Sequence, residues 1–125
     1  MAKAVGRARA RREYLEAIDA LDEADRRLRA QLTRARHHRA RLRSHLLDGG
    51  DAAGCRDLLD LRRATDDFDG AVGDLIARRG RAQRAMYRLS AAEGMNPTQI
   101  ARMWGVSRQF VSRMLLRGDD PKPKG

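Results

Sequence analysis

The chain has 125 residues, 27 of them Lys or Arg and 17 Asp or Glu, for a net charge of +10. That length holds one small domain with an extension, and an aromatic content of 4% leaves only an aliphatic, helical core. No apolar run is long enough for a membrane span and no signal-peptide pattern is present, so neither membrane insertion nor secretion is expected.

Cys55 is the only cysteine, which excludes an internal disulfide and fits a reduced cytoplasm. Arg outnumbers Lys by 24 to 3, a bias that points to a high-GC genome of the actinobacterial kind. The positive charge is concentrated at the two ends: residues 1–47 carry 13 basic and 6 acidic side chains, residues 48–93 carry 8 and 9, and residues 94–125 carry 6 and 2. Such a field attracts polyanions whatever their sequence.

Residues 1–12 are expected to be a basic arm, in which Lys3, Arg7, Arg9, Arg11 and Arg12 are suited to phosphate contact. Residues 13–80 form a helical hairpin. Its first helix carries a seam in steps of four and three: Tyr14, Ile18, Leu21, Asp25, Leu28, Leu32, Ala35, Arg39, Leu42 and Leu46. After the turn signal from Asp48 to Gly54 the pattern restarts at Leu58 and continues through Leu61, Thr65, Phe68, Val72, Leu75, Arg79, Ala82, Met86 and Leu89. A connection this short folds the two helices antiparallel.

Facing residues whose numbers sum to about 104 would set Asp25 against Arg79 and Arg39 against Thr65, so that the polar interruptions fix the register. Gly70, Gly73 and Gly80 each weaken the second helix by about 1 kcal/mol relative to Ala, and its middle is expected to kink or fray. A lone hairpin buries little surface, so homodimerisation through it is expected, as a four-helix bundle; a parallel coiled-coil dimer through the first helix alone is the competing arrangement.

Residues 81–117 make the third part. A helix running to Glu93 stops at Gly94, and Met86 and Leu89 are placed to pack on both sides of it. Asn96 caps a short helix that opens on Pro97 and carries Ile100, Met103 and Trp104. Gly105 supplies a turn, and Ser107 caps a last helix with Phe110, Val111, Met114 and Leu115 turned inward. Ile100, Ala101, Trp104, Val106 and Val111 are the expected core.

A three-residue break between two short amphipathic helices is the spacing of a helix-turn-helix unit. The segment resembles the helix-turn-helix DNA-binding superfamily of bacterial regulators: Ala101 stands where a small residue lets the helices approach, Gly105 at the turn, and Val111 at the branched core position. The string from Gly105 to Gln109 is similar to the recognition-helix entries of resolvase-type recombinases and sigma-factor region 4 modules.

The fold expected is all-helical, a long antiparallel, coiled-coil-like hairpin from the seam pattern followed by a C-terminal helix-turn-helix domain, and the resemblance of that domain implies double-stranded DNA as its partner. Arg108, Gln109, Ser112 and Arg113 would contact bases or nearby phosphates, and Thr98, Gln99 and Ser107 would anchor the backbone. A sequence-specific transcriptional regulator of the cytoplasmic nucleoid follows as the expected function. An architectural protein with little sequence preference and an adaptor to the transcription machinery remain the alternatives.

No cofactor is expected and no catalytic motif is present, so an enzyme is not expected. His37, His38, His45 and Cys55 match no standard ligand spacing, and no metal site is assigned to them. Asp66, Asp67 and Asp69 fit a solvated helix face. Residues 118–125, with Lys122 and Lys124, are expected to be a disordered tail.

Overall fold

The structure, a computed structural model, describes residues 2–117. All of its elements are α-helices: α1 (Ala2–Leu47), α2 (Ala52–Leu58), α3 (Leu61–Ala92), α4 (Pro97–Trp104) and α5 (Arg108–Leu116). The residues expected to form a basic arm are, from Ala2 onward, the opening turns of α1. The tail at 118–125 lies outside the described residues. The chain divides into two compact units, one of Glu23–Ile76 and one of the residues up to Asp22 together with those from Ala77 onward.

In the Glu23–Ile76 unit the connection between the long helices is more structured than a loop. α1 ends at Leu47 and the chain turns through Gly49, whose φ of +88° is the left-handed conformation that favours glycine. Asp51 then caps α2, accepting the Gly54 N–H at 2.8 Å, and Asp60 accepts the Arg63 N–H at 3.0 Å at the start of α3. The second long helix therefore begins at Leu61 rather than Leu58. The ring of His45 fills the turn: a Cβ added to Gly50 or Gly54 would come within 2.2 or 2.3 Å of its Nε2. That same nitrogen lies 3.1 Å from the carbonyl oxygen of Asp51.

The seam between α1 and α3 keeps the expected step but not the expected residues. On α1 the covered positions run through Ala10, Tyr14, Ala17, Leu21, Ala24 and Leu28, and on α3 through Phe68, Ala71, Leu75, Arg78, Ala82 and Ala85. Alternate members are shifted by one, so that Ala17 and Ala24 are sealed while Ile18 and Asp25 stand at the edge. Leu32 and Leu46, expected inside, are 49% and 53% exposed, and Arg39 is exposed. The physical reason is separation: interaxial distance is set by the side chains at the contact, and alanine lets two helices approach toward the short end of the usual 8–10 Å. The larger aliphatic side chains are left at the flanks.

The register differs with it. Arg27 Nη1 stands 3.6 Å from Asp74 Oδ2, and Arg78 Nη1 donates to the carbonyl oxygen of Ala20 at 2.9 Å. Facing residue numbers thus sum to about 100, one helical turn away from the expected alignment. Asp25 does not meet Arg79; it pairs with Arg29 at 3.1 Å along its own helix, and Arg79 lies beside Ile18 and Leu21. One ion pair crosses the seam on this flank, Arg27 with Asp74. Arg27, Arg34 and Arg41 recur every seven residues on α1, and Asp74 and Asp67 are spaced the same way on α3, with Asp60 just before its start. The Arg27–Asp74 pair is partly exposed and contributes at most about 1 kcal/mol, but it favours one alignment over its neighbours. α3 is one continuous helix through Gly70, Gly73 and Gly80. At Gly80 the missing side chain leaves room for Arg84, whose Nη1 would lie 3.3 Å from an added Cβ.

In the other unit the carboxyl-terminal third of α3 packs under α4 and α5. The core is Tyr87, Ile100, Ala101, Val111 and Met114, with Met86, Met95, Val106, Phe110 and Leu115 against it. A second small cluster joins Ala17 to Ala82 and Ala85, flanked by Tyr14 and Leu21. Ala17→Leu is expected to lower unfolding stability by about 1–3 kcal/mol, because the added methylenes must force the helices apart. Ile18→Leu at the edge should stay within about 0.5 kcal/mol of the parent in the same urea titration.

Candidate nucleic-acid interface

The local signals in α4 and α5 act where the sequence puts them. The Asn96 side chain accepts the Gln99 N–H at 2.9 Å and the Gln99 side chain accepts the Asn96 N–H at 2.9 Å, a reciprocal capping box with Pro97 in the first turn. α4 stops at Gly105, which has a φ of +68°, and Val106 N–H returns to the carbonyl of Ala101 at 3.0 Å. Ser107 Oγ then accepts the Phe110 N–H at 3.0 Å and starts α5. The turn between the helices is therefore fixed at both ends by side-chain caps, and α5 leaves it in one direction only.

Packing decides which face of α5 is left to solvent. Val111 and Met114 are buried, and Phe110 stands edge-on to Tyr87 with ring centroids 6.2 Å apart and planes at 87°. Gln83 Nε2 donates to the Tyr87 hydroxyl at 3.1 Å, so the one polar atom of that fully buried ring is satisfied. The opposite arc of α5 presents Arg108, Gln109 and Arg113 exposed and Ser112 half-buried between them. Among the described residues none of these four side chains is held by an ion pair. Two guanidiniums, an amide and a hydroxyl within two turns form a donor-rich strip that suits phosphate oxygens and base edges. The C-terminus of α5 is tied down by Arg88, whose Nη2 donates to the carbonyl of Arg117.

The remaining expected contacts are placed differently. Thr98 is exposed on the first turn of α4. Gln99 is exposed as well, but its side-chain oxygen is spent on the cap, which leaves only its amide hydrogens for a partner. Ser107 is likewise committed through its oxygen. Arg7, Arg11 and Arg12 are exposed on the first turns of α1, and Arg9 is bonded to Glu13 at 3.1 Å. Leu116 was not singled out by sequence reasoning, yet it is 87% exposed and falls on the same helical arc as Gln109 and Ser112. Its apolar surface suits a thymine methyl group. The signal was available in the spacing of seven from Gln109, on a face that otherwise reads as polar.

Two expectations about the core are corrected. Trp104 is 44% exposed and Met103 is exposed, whereas both had been expected to turn inward from α4. The volume a large aromatic would fill is occupied from the other side by Tyr87, and α4 needs only Ile100 and Ala101 to cover it. No three His, Cys, Asp or Glu groups among the described residues stand close enough to hold a metal ion. His45 is instead part of the turn that it fills. No helix among the described residues is long and apolar enough to cross a membrane. Against protein-family models, curated proteins and solved structures, the chain has no match.

Tyr87→Ala is expected to cost about 3–5 kcal/mol, as for other buried aromatics, and to unfold α4 and α5. Trp104→Ala should cost less than about 1 kcal/mol, the opposite of the ranking that residue size suggests. Thermal unfolding followed by circular dichroism of the two variants checks the order.

Proposed function

We propose that this chain binds double-stranded DNA sequence-specifically through α4 and α5 as a helix-turn-helix, and that it acts as a transcriptional regulator in the cytoplasmic nucleoid. The observation that carries the reading is the division of α5 into a packed face and a donor-rich face. Phe110, Val111 and Met114 hold the helix in place, which leaves Arg108, Gln109, Ser112 and Arg113 to enter a major groove. Arg108 and Arg113 can each donate two bonds to guanine or hold a phosphate, Gln109 can pair with adenine, and Ser112 can accept or donate at either. Thr98 and the amide of Gln99, at the opening of α4, would bond the flanking phosphates.

The protein would work as a homodimer joined through the hairpin, and a palindromic site would then call for recognition helices about 34 Å apart. Arg7, Arg11 and Arg12 would add phosphate contacts that raise affinity without choosing a sequence. Exposed Met103 and Trp104 favour one further reading, an apolar contact with a protein of the transcription machinery that would accompany DNA binding.

The test is selection of preferred duplexes from a random pool, followed by anisotropy titration of the winner. Arg108→Ala and Gln109→Ala are each expected to weaken the selected duplex by about 1–3 kcal/mol, roughly 5- to 150-fold, while a random duplex is bound almost as before. Selection that returns no motif, with binding lost steeply in salt and indifferent to Gln109, would replace this reading with an architectural one. No DNA binding at all would leave the protein contact.

A further inference from the structure

Within the Glu23–Ile76 unit the charge is divided by helix. Residues 26–47 of α1 hold eight arginines and no acidic side chain, and all eight arginines are exposed. A surface that only keeps a protein in solution intersperses both signs. Here side chains one turn apart repel instead: Arg36 with Arg39 and Arg39 with Arg43 each destabilise the helix that carries them. A polyanion laid along the helix turns that repulsion into attraction.

By helical phase the alanine seam separates these arginines into two flanks. Arg27, Arg34 and Arg41 lie on the side where Asp67 and Asp74 stand, and Arg27 is paired there. Arg29, Arg36 and Arg43 recur every seven residues on the other side, with Arg39 beside them. On that side α3 offers Asp69 next to Arg62, and Asp25 at the start of the strip holds Arg29 at 3.1 Å. Among the described residues no hydrogen bond or ion pair holds the guanidiniums of Arg36, Arg39 and Arg43.

The occupant of such a strip must bring a row of negative charge. A second copy of this unit does not, because the outward face of α3 sets Arg62 and Arg63 beside Asp66 and Asp69 and is neutral. A bilayer does not fit either. It needs a continuous apolar face, whereas Leu32 and Leu46, half exposed on this side, are two heptads apart with arginines between them. A nucleic-acid duplex fits: Arg29 to Arg43 spans about 21 Å of helix axis, which passes about six phosphates on either strand of DNA.

We infer that the strip of Arg29, Arg36, Arg39 and Arg43 is a second binding site for double-stranded DNA, one that grips the phosphodiester backbone and reads no sequence. The choice of DNA rests on the reading proposed for α5; the strip is a separate surface, in the other unit of the chain. Arg36, Arg39 and Arg43 each present N–H donors to phosphate oxygens and displace condensed counterions from them. The site therefore adds affinity for any duplex and makes that affinity fall with salt.

The test is anisotropy titration of the full chain on a labelled random-sequence duplex across a salt series. Arg36→Ala with Arg43→Ala is compared with Arg34→Ala with Arg41→Ala, which removes the same charge at the same spacing from the other flank. All four side chains are exposed, so neither pair should change helix content. The first pair is expected to weaken binding about tenfold or more at about 0.1 M salt and to lower the salt slope by about two; the second should weaken it less than about threefold. Arg36→Lys with Arg43→Lys should bind nearly as the parent does, because a backbone contact needs charge rather than a planar fork. Equal losses from the two alanine pairs would reduce the strip to net charge and overturn the site, as would no loss from the first. A larger loss on duplex RNA or on phosphatidylserine vesicles than on duplex DNA would overturn the ligand. The α5 reading fails separately: Arg108→Ala with Gln109→Ala leaving the selected duplex bound as before would refute it, with the random-duplex result for the strip still standing.

Discussion

The alanine seam between α1 and α3 is the constraint on which the remaining structure depends. Alanine is the sealed residue along this seam, at Ala17, Ala24, Ala71, Ala82 and Ala85, while Tyr14 and Leu21 stand beside it only partly covered. Two consequences follow. The register must be specified by something other than the shapes of alanines, and the Arg27–Asp74 pair and the Arg78 bond to the Ala20 carbonyl favour the one observed. The bulky aliphatic residues, displaced from the seam, must find cover elsewhere or remain wet.

The same helix solves a second packing problem near its end. Between Ala82 and Ser90, α3 is covered on nearly its whole circumference, because one side meets α1 and the other meets α4 and α5. Tyr87 occupies the second side and is the largest sealed side chain there. Ser90, also buried, returns its hydroxyl to the Met86 carbonyl at 3.1 Å, so a polar residue crosses this double contact without an unpaired oxygen. This stretch of α3 thus packs on the first turns of α1 with one face and on α4 and α5 with another.

What was legible in the sequence and what was not divides along the range of the forces involved. Asn96, Pro97, Gly105 and Ser107 act on their immediate neighbours, and all four do what their residue types predict. The inward set of α5 was likewise legible, since Val111 and Met114 lie on one stripe of a short helix. The seam was misread by one position because Ile18, Leu32 and Leu46 carry a stronger hydrophobic signal than Ala17, Gln31 and His45, and only the separation of the helices decides between them. The misplaced register was inherited from that choice. Tyr87 escaped notice for a related reason: it lies off the hairpin seam, and a run of apolar residues all around a helix signals cover on two sides only when it is read as a circumference. Trp104 was overvalued by size, since the core had already been filled from α3.

The ring of His45 has an implication for how this sequence can change over time. It occupies the space in which any side chain at Gly50 or Gly54 would have to sit, so three positions spread over ten residues are bound into one steric unit. A lineage that first replaces the histidine with something smaller frees Gly50 to drift and leaves Gly54 facing only the Asp51 carboxylate at 3.2 Å. One that first replaces a glycine meets the ring, and must displace it from its bond to Asp51. Mutations at the turn are therefore ordered: the histidine gates the glycines, and descendants of this chain should keep all three or lose the histidine first.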